Sequence, residues 1–123
     1  MIIGRVSATL EPKISLMILD STDSPLLLDV LIDTGFTGFL ALRSDLVEHL
    51  GLQRIAKVPV ELADGSEVSL HYHFVRIEWR GVVRTVRAIE MDTDPVIGTQ
   101  LLWGNQLTID MIVDGVVTVT PLP

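Results

Sequence analysis

The chain contains no cysteine. That excludes disulfides, zinc–thiolate sites and thiol catalysis, and it accords with a reducing, cytoplasmic setting. Aromatic residues supply only 5% of the 123 positions, so a core must be built from Val, Ile and Leu, a composition that favours strands. No apolar run is long enough to span a bilayer. The most apolar stretch, Leu26 to Ile32, is short and interrupted by Asp29, and Met1-Ile2-Ile3-Gly4-Arg5 lacks the apolar segment of a signal peptide. A soluble protein with no membrane partner is expected. Basic residues are also scarce, 9 against 16 acidic ones, for a formal charge of −7. Nucleic-acid binders gather Lys and Arg on one face, because neutralising phosphates supplies most of their affinity. Here Arg76, Arg80, Arg84 and Arg87 are spread along strand-like sequence with Glu78 among them. They read as a solvated strand face, and no nucleic-acid partner is expected.

Hydrophobic residues make up 48% of the chain, enough for a core, and no linker or low-complexity stretch divides it. Residues 1–123 therefore read as a single domain. Ile2 to Leu10 reads as a strand that stops at Pro12, and Ile14, Leu16 and Ile18 mark a second. Ser21-Thr22-Asp23-Ser24-Pro25 turns the chain. Leu26 to Asp33 is a near-continuous aliphatic run, the pattern of a strand buried on both faces. Ser44 reads as the cap of a short helix through Leu50, with Gly51 as its left-handed stop. Asp64-Gly65 between Val58–Leu62 and Val68–His73 is a hairpin signal. Val75, Ile77 and Trp79 alternate towards a turn at Arg80-Gly81, and Val82 to Met91 is the partner strand. Thr99 to Trp103 reads as one helical turn ending at Gly104. Leu107–Val113 and Val116–Thr120, joined at Asp114-Gly115, form a last hairpin. The sum is a mostly β domain with one or two short helices.

The chemistry-bearing segment is Val30-Leu31-Ile32-Asp33-Thr34-Gly35-Phe36-Thr37-Gly38. A carboxylate ends an aliphatic strand and is followed at once by a hydroxyl and two glycines. An ionised carboxylate buried alone is costly, so such an Asp calls for a partner or a raised pKa. Glycine permits close backbone approach, and Thr34 offers a short, stiff hydroxyl. The plainer reading is an Asp that ends a strand and begins a turn. A second segment, Asp94-Pro95-Val96-Ile97-Gly98-Thr99-Gln100-Leu101-Leu102, places two aliphatics and a glycine before a helical turn.

Taken together, the two segments resemble the retropepsin-like aspartic peptidases, in particular small microbial members in which Phe follows Asp-Thr-Gly. Order and separation match over nearly the whole chain, about the length of one retropepsin subunit. The resemblance implies a closed acid-protease-like β-barrel and an aspartic endopeptidase that needs no cofactor. It assigns catalysis to Asp33, support of the active-site loop to Thr34 and Gly35, and support from the second motif to Ile97 and Gly98. It also implies a flap over substrate in Val60 to Leu70, with Ala63, Asp64 and Gly65 at its tip. The chain has no second Asp-Thr-Gly or Asp-Ser-Gly. Two carboxylates sharing one proton would then require a homodimer, with Asp33 from each copy on the two-fold axis and an extended peptide or protein as substrate. By the same analogy, Ile2–Leu10 and Val116–Leu122 would build an intersubunit sheet.

The sequence departs from the retroviral pattern at paired positions. Thr99 stands where those enzymes carry Arg after the second-motif glycine, and Thr37 where they carry an acid. The flap tip is also poorer in glycine. These departures keep open a peptide-binding or assembly module on the same fold without effective turnover. A third class, a metal-dependent β enzyme, rests on His71 and His73, which share one strand face. The local sequence indicates no third ligand, and a solvated face is the simpler reading.

Overall fold

A computed structural model describes residues 1–123. Ten strands and two short helices follow in the order β1 (Ile2–Val6), β2 (Pro12–Leu19), β3 (Pro25–Ile32), β4 (Leu40–Leu42), α1 (Ser44–Leu50), β5 (Ala56–Glu61), β6 (Glu67–Trp79), β7 (Val82–Glu90), β8 (Val96–Ile97), α2 (Thr99–Leu102), β9 (Asn105–Ile109) and β10 (Val116–Pro121). All ten strands belong to one sheet in the order β5-β6-β7-β4-β8-β3-β2-β1-β10-β9, with β6 also paired to β2. That extra pairing, Ile18 opposite Ile77, turns the middle six strands into a ring. β5 projects from one side of the ring, and β1, β10 and β9 continue from the other.

Period-two patterning fills the ring. Ile14, Leu16 and Ile18 of β2 point inward and are at most 2% exposed. They meet Val75, Ile77 and Trp79 of β6, Val30 and Ile32 of β3, and Leu40 and Leu42 of β4 in one apolar cluster. Val47 and Leu50 of α1 and Leu101 and Leu102 of α2 join it. Aromatics contribute only Trp79 to this buried cluster, as the composition requires.

Several boundaries differ from the sequence reading, each for a local reason. The first strand ends at Val6 rather than Leu10. Ser7 N–H donates to Glu11 O at 2.8 Å, and Leu10 takes φ 68°, so Ser7–Glu11 reverses the chain instead of extending it. β3 is buried on one face only. Leu26, Leu28, Val30 and Ile32 turn inward, whereas Leu27 is 62% exposed and Asp29 faces solvent beside Ser15. A strand in a ring has its core on one side. Ser44 is the first helical residue of α1, and Arg43 occupies the cap with extended backbone. Gly51 does close α1 in the left-handed conformation, φ 68°. β6 runs unbroken through the two segments read separately, because one edge serves β5 and then β2 while the other serves β7. Its turn to β7 places Arg80 and Gly81 at φ 55° and 79°, the pair of left-handed residues that a two-residue hairpin needs. The last hairpin has a shorter first arm, since Ile112 N–H turns back to Asp110 O.

Candidate active site

Asp33 follows the last residue of β3 and is exposed in the single chain. Its position is fixed by backbone bonds on both sides. Asp33 N–H donates to Ile97 O at 3.0 Å, and Asp33 O accepts from Phe36 N–H at 3.1 Å. The side chain is held as well, because Gly35 N–H donates to Asp33 Oδ1 at 2.8 Å. Oδ2 has no partner within the chain, and neither does the Thr34 hydroxyl. The carboxylate is thus oriented by its own loop with one oxygen left free for other work.

The second motif locks this loop from behind. β8 lies between β3 and β4, with Ile32 parallel to Ile97 and Leu40 antiparallel to it. Beyond β8, Gly98 N–H donates to Phe39 O at 3.2 Å, Thr99 N–H to Phe36 O at 2.9 Å, and Gln100 N–H to Gly38 O at 3.2 Å. The loop is therefore stitched to the start of α2 along its length. Gly98 is required by this approach. A Cβ there would lie 2.3 Å from Phe36 O and 2.4 Å from Gly38 O, both backbone atoms that cannot step aside. Thr99 adds a long 3.5 Å contact from its hydroxyl to Phe36 O. With Thr37 and Thr99 in place of a charged pair, backbone bonds from Thr99 to Phe36 and from Gln100 to Gly38, on either side of Thr37, hold the loop without an ion pair.

An open cleft of about 810 Å³ adjoins the Asp33 loop. Its floor is Gly35 to Phe39, one wall is Pro59–Glu61 of β5, and the other sides come from Arg87, Ile89, Thr99, Gln100 and Trp103. The hairpin read from Asp64-Gly65 forms between β5 and β6. Its turn is closed by Leu62 N–H to Ser66 O at 2.7 Å, and Ser66 also donates to Asp64 Oδ1, which holds that carboxyl below its ordinary value. The tip residues Ala63, Asp64 and Gly65 lie clear of the cleft lining in this conformation, whereas the strand leading to them forms its wall.

Trp79 is a core residue, but Trp103 is 85% exposed at the cleft. Phe39, Arg87 and Pro59 of β5 were not singled out as cleft residues, whereas Val60 and Glu61 fall at the start of the expected flap. They come from three separate elements, and only the closure of the ring brings them together. Arg87 lies over the Tyr72 ring at 4.4 Å, and Arg84 over the Phe39 ring at 5.6 Å.

His71 and His73 do not form a solvated face. His73 is fully buried, with Nε2 3.2 Å from Glu90 Oε2. Arg54 reaches the same carboxylate with two bonds, at 3.0 and 2.8 Å. Arg54 holds the Glu90 carboxyl down at about 2 from an ordinary 4.5, against the opposing effect of burial, with smaller help from Ser44 and His73. No group of three His, Asp or Glu side chains comes together in metal-binding spacing. No helix is long and apolar enough to cross a membrane.

The family-model scan gives no match, and the search of curated proteins gives none. Among solved structures, the chain is similar to the EIAV protease complexed with the inhibitor HBY-793. Identity is 23% and the TM-score 0.54, over 75% of this chain and 85% of that one. The mostly β architecture laid out above is a retropepsin-like fold.

Proposed function

We propose that this chain is one half of an aspartic endopeptidase, with Asp33 from two copies forming the catalytic pair. The observation that carries the reading is the setting of Asp33. Its backbone is bonded to Ile97, one carboxylate oxygen is held by Gly35, the other is free, and a peptide-sized cleft begins beside it. The fold neighbour's name supports the same class, since that protein is a protease captured with an inhibitor.

Two carboxylates brought to about 3 Å cannot both carry charge, so they share one proton. The charged member takes a proton from water, which attacks the scissile carbonyl carbon, while the protonated member gives its proton to the carbonyl oxygen. As the resulting diol collapses, the protonated carboxyl gives its proton to the departing amine and a diol hydroxyl gives its proton to the charged carboxylate, which restores the pair with one shared proton. An extended peptide would lie in the cleft with backbone hydrogen bonds to the Asp33 loop and to the hairpin above it. Each copy contributes residues 1–123 as a single unit. The reaction needs no cofactor.

Incubation with a peptide library from acid to neutral pH, beside Asp33→Asn, tests the assignment. Cleavage by the native chain that vanishes in the variant is expected, and cleavage that survives the substitution refutes it. Peptide bound but never cut would instead mark a binding or assembly module, the reading favoured by Thr37, Thr99 and the glycine-poor hairpin tip.

A further inference from the structure

We propose that Arg87 makes the cleft selective for peptides that carry an aspartate or glutamate side chain at one defined position. The proposal rests on the reading of the cleft as a peptide site, and it names the residue that decides which peptides fit.

Arg76, Arg80, Arg84 and Arg87 look alike in the sequence, and the fold separates them. Arg76 pairs with Asp23, and Arg80 donates to Asn105 Oδ1 at 3.3 Å. Arg87 belongs to no ion pair of the chain. Acidic residues outnumber basic ones by 16 to 9, so this guanidinium is not short of possible partners. Its place in the fold keeps them away.

That place is the wall of the cleft. Alternation along β7 turns Val86 and Ala88 into the core and leaves Arg87 and Ile89 on the outer face, where both line the cleft. The register with β6 sets Arg87 opposite Phe74 and Ile89 opposite Tyr72. Arg87 reaches diagonally, with Cζ over the Tyr72 ring at 4.4 Å from its centroid. Phe74 in turn meets the Tyr72 ring edge-on, at 5.7 Å and 81°. Two aromatic rings thus form a seat for the cation. A guanidinium over a ring is held through the π-cloud and spends none of its N–H donors, which lie in its own plane.

A carboxylate matches such a free fork with two parallel bonds, whereas an amide brings no charge and an ammonium is repelled. The other charged residue of the lining is Glu61, which faces Glu67 across the β5–β6 pairing and does not reach Arg87. Arg84, over the ring of the lining residue Phe39 at 5.6 Å, adds positive charge beside the same cleft. The whole chain carries −7, and that field alone favours basic peptides. A preference for acidic ones must therefore come from a local cation.

Peptide binding to the Asp33→Asn chain tests this without cleavage. The probes are fluorescent decapeptides, blocked at both ends and otherwise neutral, in which one Glu, Gln or Lys is moved through every position. Fluorescence anisotropy reads the dissociation constants, and circular dichroism confirms each fold. At one position Glu should bind about tenfold more tightly than Gln, and Lys more weakly than either. Adding Arg87→Gln should abolish that ratio, and Arg87→Glu should turn the preference to Lys at the same position. Tyr72→Leu keeps the cation but removes its seat, and should shrink the ratio about threefold. Binding with no preference for Glu at any position, a preference that survives Arg87→Gln, or no binding at all overturns the proposal. Cleavage of the same peptides by the native chain is scored separately. Cutting that is indifferent to Glu keeps the peptidase reading and removes the acidic subsite. Glu-dependent binding that never leads to cutting by the native chain does the reverse.

Discussion

The backbone N–H of Thr99 donates to the carbonyl oxygen of Phe36 at 2.9 Å, tying the start of α2 to the loop that carries Asp33. Sixty-three residues separate the two in sequence, so the position of Asp33 depends on the packing of the whole ring. The bond uses main-chain atoms alone. It therefore tolerates threonine where retroviral chains carry a charge, and places its strictest demand on the neighbouring glycine.

Gly98→Ala is accordingly expected to damage the fold as well as any activity. The added carbon meets two carbonyl oxygens well inside contact distance. Overpacking against backbone costs about 1–3 kcal/mol. Urea denaturation followed by circular dichroism measures the loss. Gly35→Ala is the comparison, since its Cβ would meet only Asp33 Oδ1, at 3.1 Å. It should cost less stability while disturbing the carboxylate.

Glu90 makes stability depend on pH in a defined window. Arg54 holds its folded-state value at about 2, below the ordinary 4.5. A depressed carboxyl contributes fully above the unfolded value and loses that contribution as pH falls towards the folded one. Melting temperature should therefore fall more steeply between pH 4.5 and 2 in the native chain than in Glu90→Gln. At neutral pH that variant should be less stable by about 1–3 kcal/mol, because Glu90 and its partner His73 are buried. Parallel melting profiles for the two proteins would contradict the assignment.

Trp103→Ala separates cleft from core. The side chain is 85% exposed and borders the cleft, so its removal should leave stability within about 0.5 kcal/mol. Catalytic efficiency on extended peptides should fall about tenfold through lost apolar contact. Trp79→Ala, at 2% exposure, should instead cost about 3–5 kcal/mol of stability. Thermal melts and steady-state kinetics of the pair check both halves.

The parts written locally were legible in the sequence. Asp33 at the end of an aliphatic strand, Gly98 after two aliphatics, and the turns at Asp64-Gly65 and Arg80-Gly81 all announce themselves within a few residues, and each stands where read. The parts made by long-range pairing were not. β4 is three residues long and is a strand only because β7 and β8 flank it. Glu90 meets Arg54 and His73 across separations of 36 and 17 residues, so nothing local marks His73 as a buried hydrogen-bonding group. Trp79 ends the alternating Val75-Arg76-Ile77-Glu78 and Trp103 follows Leu101-Leu102, and only the topology separates a core ring from a cleft ring. The cis pairing of β1 with β10 is likewise a choice between copies that strand patterning cannot express.

Mixing native chains with Asp33→Asn chains tests most directly whether two copies share one site. Asn keeps an oxygen for Gly35 N–H, and the exposed position carries no packing load, so the variant should fold and pair normally. If both carboxyls are needed, only native pairs cleave peptide, and after subunit exchange activity follows the square of the native fraction. An equal mixture should then retain about a quarter of the activity of the same total protein as all-native pairs. Activity that falls in simple proportion, to about half, would mean that each chain works alone and would contradict the shared site.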